Sequence, residues 1–332
     1  MAVPSATPGL MKAKLRALSA YAPEKRISNG YFESILNTSD EWIRTRTGIL
    51  ERRYAEEDEF TGDLCFRAAQ QLLAENPGLS LADVDFIIVS TTTADHTVPS
   101  VASQLQHRLG IKNPGTIDLS SACAGFVYGI ILAKSMIEAG TYRKVLVFGG
   151  DTLSKVLDFS DRRTAILFGD GAGVALIEAA SETNIFRHAT GTDGSGGEHL
   201  YRSTLSPFVN GVNIVNDAKS HQNGRVVFKW AIQTAVNTVR QVLEANQVQL
   251  QELDFIVLHS ANLRIIEAAA LELGYPVDRM PQSVTYHGNT SSASIPLALN
   301  GAIKNGQIKK GDRGIIAGFG GGLTYAGVLI RL

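Results

Sequence analysis

Cysteine is almost missing from this chain: 332 residues hold two, Cys65 and Cys123. Two thiols in so long a chain do not resemble the disulfide framework of a secreted protein, so both are expected to be reduced, as in a cytoplasmic protein. A surplus of charge is missing too. The 31 Lys and Arg residues nearly cancel 32 Asp and Glu, leaving a formal net charge of -1. That balance provides no global attraction to nucleic acid or to an anionic membrane. No uninterrupted apolar run reaches the length of a membrane span. The opening MAVPSATPGL lacks the basic start and apolar stretch of a secretory signal and reads as a short extension, 1–10, ahead of a strand that begins after Met11. With 44% hydrophobic and 19% charged residues, the composition suits one large or two ordinary globular domains.

Helical and strand patterns alternate throughout, which predicts an α/β protein with mostly parallel, buried sheets. The strand-like run Asp85–Ser90 follows a helical segment over 62–76, and the nearly identical run Asp254–His259 follows one over 230–245. The offset between these runs, 254 − 85, equals the offset 313 − 144 between Lys144–Gly150 and Arg313–Phe319. Ala172–Ile177 and Ala326–Ile330 close the two halves alike. Such a period is too long for a solenoid and indicates a doubled domain. It divides the chain into halves at 11–180 and 181–332, with no Pro- or Ser-rich linker to let them flex apart. Each half carries one helix that is apolar on more than one face, Cys123–Ala139 and Ala293–Lys304, and both are expected at the buried centre.

Cys123 stands where a strand-like run gives way to the first of these helices. Unpaired N–H groups and the positive helix end favour thiolate there, although a small apolar filler is the plain alternative. Cys65 lies mid-helix on an apolar stripe and reads as structural. His259 ends a strand, where α/β folds gather their ligand-handling groups, or is simply a buried, hydrogen-bonded histidine. His107, His188, His199 and His221 are less well placed, whereas His96 and His287 are not dismissed by position. Asn289 follows Gly288 in a polar turn leading to the second helix. The Gly320–Gly322 run has no Gly-Lys-Ser/Thr after it, which disfavours a nucleotide-phosphate loop and leaves its N–H groups to serve an oxyanion. The doubling brings Cys123 from one half against His259, Asn289 and Gly320–Gly322 from the other.

Eight segments in register, from Thr38-Ser-Asp-Glu-Trp42 and Thr45-Arg-Thr-Gly48 through Ala122-Cys-Ala-Gly-Phe126, Asp161-Arg162, Phe168–Gly173, Ala261–Ile265 and Gly288–Ser291 to Phe319–Gly322, resemble the β-ketoacyl-acyl-carrier-protein synthase III family of the thiolase superfamily. The resemblance runs from about Met11 to Leu332. It implies a thiolase-like fold with duplicated α/β halves in five αβαβα layers, and an acyltransferase that initiates fatty acid synthesis. Cys123 would take an acyl group from acyl-CoA, and malonyl-acyl-carrier-protein would lose CO2 to give the attacking carbanion. His259, neutral, and Asn289 would hydrogen-bond the malonyl thioester oxygen, with the N–H groups of Cys123 and Gly321 as oxyanion donors. No metal and no redox cofactor is needed. Trp42 and Arg162 would sandwich the CoA adenine, with Arg46 near its phosphates and Thr38, Gly224, Phe228 and Asn262 along the pantetheine tunnel. Lys229 and Arg264 would receive the acidic carrier protein. A homodimer is implied, and the two apolar faces of Val145–Phe148 are read as indirect support for it.

Three departures bear on specificity. Ser260 stands where many members have Gln, a variant resembling a second copy in some Gram-positive bacteria that leans toward branched primers. Leu271 and Glu272 replace paired lysines, weakening the carrier patch. Val98 replaces a bulky Phe that a neighbouring subunit uses to limit the acyl pocket, which predicts room beyond acetyl. The competing readings are a related acyltransferase, a condensing enzyme of secondary metabolism, a Cys-His-Asn hydrolase, and a catalytically silent acyl-CoA-binding partner.

Overall fold

A computed structural model describes residues 11–332; the extension read at 1–10 lies outside the described residues. Strands β1 (Lys12–Tyr21) and β2 (Arg26–Ser28) lead into helices α1 (Asn29–Ile35) and α2 (Asp40–Thr47), then to β3 (Glu51–Arg53), which pairs back on β2. Strict alternation follows: α3 (Thr61–Glu75), β4 (Phe86–Ser90), α4 (Val101–Arg108), β5 (Gly115–Leu119), α5 (Gly125–Glu138), β6 (Lys144–Thr152), the single turn α6 (Arg162–Ala165) and β7 (Asp170–Ala180). The second half begins with β8 (Ile185–Thr192) and a wall of short strands, β9 (Leu200–Arg202), β10 (Phe208–Val209), β11 (Val212–Asn213) and β12 (Ser220–Gln222). It continues through α7 (Gly224–Asn246), β13 (Phe255–Leu258), α8 (Leu263–Leu273), α9 (Val284–His287), α10 (Ser294–Lys304), β14 (Arg313–Gly320) and β15 (Thr324–Arg331). No helix among the described residues is long and apolar enough to cross a membrane.

Two main sheets result, ordered β1-β7-β6-β4-β5 and β13-β14-β15-β8, beside the two-stranded pairs β2-β3, β9-β12 and β10-β11. The second repeats the first four strands of the doubled pattern, but the repeat offset places the counterpart of β5 on α9, so a helical turn stands where a fifth strand would run. The expectation of mostly parallel sheets is corrected. Only β4–β5, β4–β6 and β13–β14 are parallel; β1–β7, β6–β7, β14–β15 and β15–β8 are antiparallel. The residues between β14 and β15, Gly321 to Leu323, are too few for the crossover that a parallel pair requires.

Alternation along each strand builds the layers. Ile87, Val89, Leu146 and Phe148 face α3, where they meet Leu64, Ala68 and Leu72. Ile88, Val145 and Val147 face inward onto α5 and α10, which also receive Val257, Ile316 and Val328 from the other sheet. Ile256, Leu258 and Ile315 pack outward against Val236, Val239 and Ile266 of α7 and α8. Each fully buried Ile, Leu or Phe contributes about 1.5–3 kcal/mol, so the two-sided burial of α5 and α10 holds the sheets together. The same alternation removes the dimer argument drawn from Val145–Phe148. Strand β6 is internal to its sheet and both its faces are covered within one chain. Helix α7 also starts earlier than its apolar pattern suggests, at Gly224, because the Asn223 side chain accepts from Val226 N–H and caps it.

The sheets lock through glycine. A Cβ on Gly318, in β14, would lie 2.8 Å from the Cys123 carbonyl oxygen and 2.7 Å from Ala124 Cα. A Cβ on Gly149, its counterpart in β6, would lie 2.8 Å from the Ser292 carbonyl oxygen. Each strand thus receives the turn that opens the other half's central helix, and only glycine permits the approach. Gly149→Ala should therefore lower the unfolding free energy by about 1–3 kcal/mol. Gly301→Ala, in α10 with nothing within 4 Å of the new Cβ, should raise it by about 0.5–1 kcal/mol. Urea midpoints moving in opposite directions check this; a harmless Gly149→Ala contradicts the interlock.

Candidate active site

Cys123 occupies the middle of a 3-10 turn, Ala122–Ala124, that feeds straight into α5. Ala122 adopts φ +43, and Ser291, its counterpart in the second half, adopts φ +52. Non-glycine residues rarely take this left-handed conformation, so both turns are held by their surroundings. Gly320 supplies part of that hold: a Cβ there would sit 2.9 Å from Cys123 N and 3.2 Å from its Sγ. The reading that the helix end favours thiolate is corrected. Burial pushes the Cys123 thiol up to about 12, and a hydrogen bond from Ser291 only partly opposes this. Desolvation of a negative sulfur is the largest cause of that rise.

His259 follows directly on β13, its N–H donating to Ala317 O at 2.8 Å. Its ring is buried and meets Phe319 edge to face at 5.5 Å. Burial lowers its pKa to about 3, so the imidazole is neutral at ordinary pH. Nδ1 lies 2.7 Å from Ser294 Oγ. Asn289 is fixed by its own backbone, which bonds Leu167 O and Gly169 N, and by Ser291 N–H donating to its Oδ1 at 2.9 Å. With Oδ1 engaged, the amide nitrogen is the group left to donate.

Cys123, His259, Asn289, Gly320 and Gly321 all line one cavity of about 680 Å³, and Gly224, Phe228 and Asn262 line it as well. The remaining sequence candidates lie outside that lining. Arg162 stacks on Trp42 with its guanidinium 4.7 Å from the indole and donates to Asn37 O. A ring inserted between them needs roughly 7 Å, twice a van der Waals separation, so the pair is closed as it stands. Arg46 is exposed on α2, and its carbonyl accepts from Asn262 Nδ2 at 3.3 Å. Gly48, at the end of α2, packs on Leu263, which docks α2 and α8 together. Thr38 Oγ1 is buried without a partner among the described residues. Lys229 is exposed, whereas Arg264 is tied to Glu267 at 2.6 Å and to Arg44 O. Val98 is 82% exposed and does not line the cavity of its own chain.

Sequence reasoning missed the wall formed by β9 and β12. Leu200, Tyr201, Arg202 and Gln222 line the cavity, and Arg202 Nη1 pins this wall to the other half by donating to Thr92 O at 2.7 Å. These short strands carry no repeating pattern of their own, so no periodic signal marks them. Ser291 and Ser294 were missed as well, yet the repeat offset pairs them with Ala122 and Gly125 and so held a signal.

Two consequences are measurable. Alkylation of Cys123 by iodoacetamide in the free protein should rise about tenfold per pH unit from pH 7 to 10, with no plateau near 8.5. For His259 the folded value of about 3 lies below the ordinary 6.5, so the unfolded chain binds the extra proton between them. This group's stabilising contribution is complete above pH 6.5 and is lost as pH falls toward 3, by up to about 1.4 kcal/mol per unit. The unfolding free energy of His259→Gln, measured beside the parent from pH 7 to 4, should lack that slope.

The chain matches the model of the 3-oxoacyl-[acyl-carrier-protein] synthase III domain over residues 117–194 and that of its C-terminal domain over 243–332. It is 46% identical to β-ketoacyl-[acyl-carrier-protein] synthase III 2 of Bacillus subtilis over 323 residues, which covers 97% of this chain and 99% of the relative. Identity to the protein of that name in Staphylococcus epidermidis is 47%, covering 96% and 98%. Among solved structures, β-ketoacyl-[acyl-carrier-protein] synthase III of Thermus thermophilus superposes with a TM-score of 0.93 at 41% identity, covering 96% and 99%. The priming β-ketosynthase of a polyketide pathway superposes with a TM-score of 0.90 at 34% identity, covering 99% of each chain. With its fold and nearly its whole length accounted for in this way, the chain belongs to the β-ketoacyl-acyl-carrier-protein synthase III family.

Proposed function

We propose that this enzyme joins an acyl-CoA primer to malonyl-acyl-carrier-protein through an acyl-Cys123 thioester, releasing CoA and CO2 and initiating fatty acid synthesis. One observation carries the reading: Cys123 from one half meets His259 and Asn289 from the other around a single cavity. In the first half-reaction the Cys123 sulfur attacks the primer carbonyl, the C–S bond to CoA breaks, and the thiol proton leaves with CoA as its new S–H. Because the thiol is held protonated in the free protein, deprotonation accompanies attack rather than preceding it. In the second, the malonyl carboxylate departs as CO2 and its electron pair becomes the enolate of the carrier-bound thioester. That enolate attacks the acyl-Cys123 carbonyl, forms the new C–C bond and expels the Cys123 thiolate, which takes a proton from solvent.

The neutral His259 and the Asn289 amide are the donors we assign to the enolate oxygen, and the N–H groups of Cys123 and Gly321 those for the tetrahedral oxyanion. Neither role requires His259 to carry charge, which agrees with its burial beside Phe319. We assign Thr38, Gly224, Phe228 and Asn262 to pantetheine, Arg46 to phosphate, and Trp42 with Arg162 to adenine, the last requiring Arg162 to swing off the indole. Lys229 is the freer of the two cations assigned to the carrier protein, since Arg264 already shares its charge with Glu267. A homodimer finds support in the edge strand β5, where Ile117 is exposed, and in Val98, which is exposed on the loop before α4. The division into halves at 11–180 and 181–332 rests on the repeat offset, and the two free thiols fit a cytoplasmic setting.

A condensing enzyme of secondary metabolism is the second reading, favoured by the similarity to the polyketide priming synthase. Comparing kcat/KM for acetyl-, isobutyryl-, butyryl- and octanoyl-CoA with malonyl-acyl-carrier-protein separates the two. Cys123→Ala should show no acyl mass shift on incubation with acyl-CoA. His259→Ala and Asn289→Ala should still acylate but decarboxylate malonyl-acyl-carrier-protein about 10²–10³-fold more slowly. An acylated Cys123→Ala, or unimpaired decarboxylation in both other variants, contradicts the assignment.

A further inference from the structure

We infer that Ser294 is a positioning residue that sets the ring tautomer of His259, holding the proton on Nε2 and so making the histidine a donor toward the cavity. The inference deepens the role given to His259 above and rests on it. Ser294 is the first residue of α10 and its side chain is fully buried. Its Oγ has two partners among the described residues: Ser260 N–H, which donates to it at 3.2 Å, and His259 Nδ1 at 2.7 Å. A hydroxyl carries one proton. The amide can only donate, so Oγ must accept from Ser260, and its own proton has Nδ1 as the acceptor within reach. Helical serines that instead return the proton to a carbonyl four residues back occur in this chain, as Ser135 does to Ile131 O, but Ser294 makes no such bond. The opposite tautomer would leave the hydroxyl proton unpaired in a sealed site, which is unfavourable.

The doubled architecture points to the same contact independently. Under the repeat offset, His259 and Ser294 are the counterparts of Ser90 and Gly125. In the first half these two positions touch so closely that a Cβ on Gly125 would fall on the Ser90 hydroxyl, which is buried and has no partner among the described residues. In the second half the same junction holds an imidazole and a hydroxyl in hydrogen-bond contact. A neighbouring ring of serines keeps it rigid: Ser260 Oγ accepts from Ser283 N–H, and Ser283 Oγ donates to Ser294 O. Ser260, the residue that departs from the Gln of many relatives, is therefore part of the frame around Ser294. With Nδ1 occupied as an acceptor, the Nε2–H is the part of the ring left to meet an enolate oxygen. A proton on Nδ1 would present a lone pair to that oxygen instead.

The test uses the full chain with 15N-labelled histidine rings, the His259 signals being assigned by their loss in His259→Ala. The parent protein should show a pyrrole-type Nε2 and a pyridine-type Nδ1 from pH 6 to 8. Ser294→Ala should raise the Nδ1–H population and slow malonyl-acyl-carrier-protein decarboxylation about 10- to 100-fold, a larger fall than in acyl-enzyme formation and short of the ~10⁴-fold loss that a wrong histidine tautomer causes in a serine protease. Ser294→Thr, which keeps the hydroxyl, should restore both the ring spectrum and most of the rate. A parent ring protonated at Nδ1 overturns the inference, and that spectrum decides it even if Ser294→Ala does not fold. A Ser294→Ala protein with an unchanged ring spectrum overturns it equally. Undiminished decarboxylation by His259→Ala would instead contradict the role proposed for His259, while the tautomer result stands on its own.

Discussion

The close approach of each half's helix-opening turn to a glycine in the other half is the constraint on which the site depends. Gly318 admits the carbonyl of Cys123, and Gly149 admits that of Ser292. Neither contact tolerates a Cβ, and together they fix how far apart the two sheets lie. Helices α5 and α10, buried between those sheets, then deliver their first turns to one place. The convergence of Cys123 from one half with His259 and Asn289 from the other follows from this packing rather than from any contact among the three side chains.

Burial then decides the chemistry. It drives the Cys123 thiol up to about 12 and the His259 imidazole down to about 3, so both groups rest uncharged. On the mechanism proposed above, a site built in this way would stabilise charge only where it develops, on a tetrahedral oxyanion and on an enolate. Asn289, with Oδ1 engaged by Ser291, keeps its amide nitrogen to offer, and His259, with Nδ1 engaged by Ser294, keeps Nε2. Fixing the idle end of a side chain is how the fold aims the working end.

Much of this was legible in the sequence because a duplicated chain states its architecture twice. The paired runs at 85 and 254, and at 144 and 313, became β4, β13, β6 and β14, and the two apolar helices became the central layer. Cys123, His259 and Asn289 came together because strand ends and helix starts in such a fold share one rim. Other features left no local trace. Strand direction depends on connection length, so the parallel expectation failed where Gly321 to Leu323 is too short for a crossover. The apolar faces of Val145–Phe148 say that a strand is buried without saying by what, and here its own chain covers both. A helix end favours thiolate in isolation, but the depth at which it is buried is a tertiary property. The cavity wall at Leu200–Gln222 is irregular in sequence and is known only through its contacts. Ser294 was legible in principle, since the offset that pairs Ser90 with His259 pairs Gly125 with Ser294.

The central claim, that condensation proceeds through donors which stay neutral at rest, is tested most directly by the pH dependence of the second half-reaction alone. Enzyme already acylated on Cys123 removes the thiol from the titration. Its single-turnover rate with malonyl-acyl-carrier-protein should be flat between pH 5 and 8. A rate that rises or falls through an apparent pKa near 6.5 would show that His259 changes charge during turnover and would contradict the account.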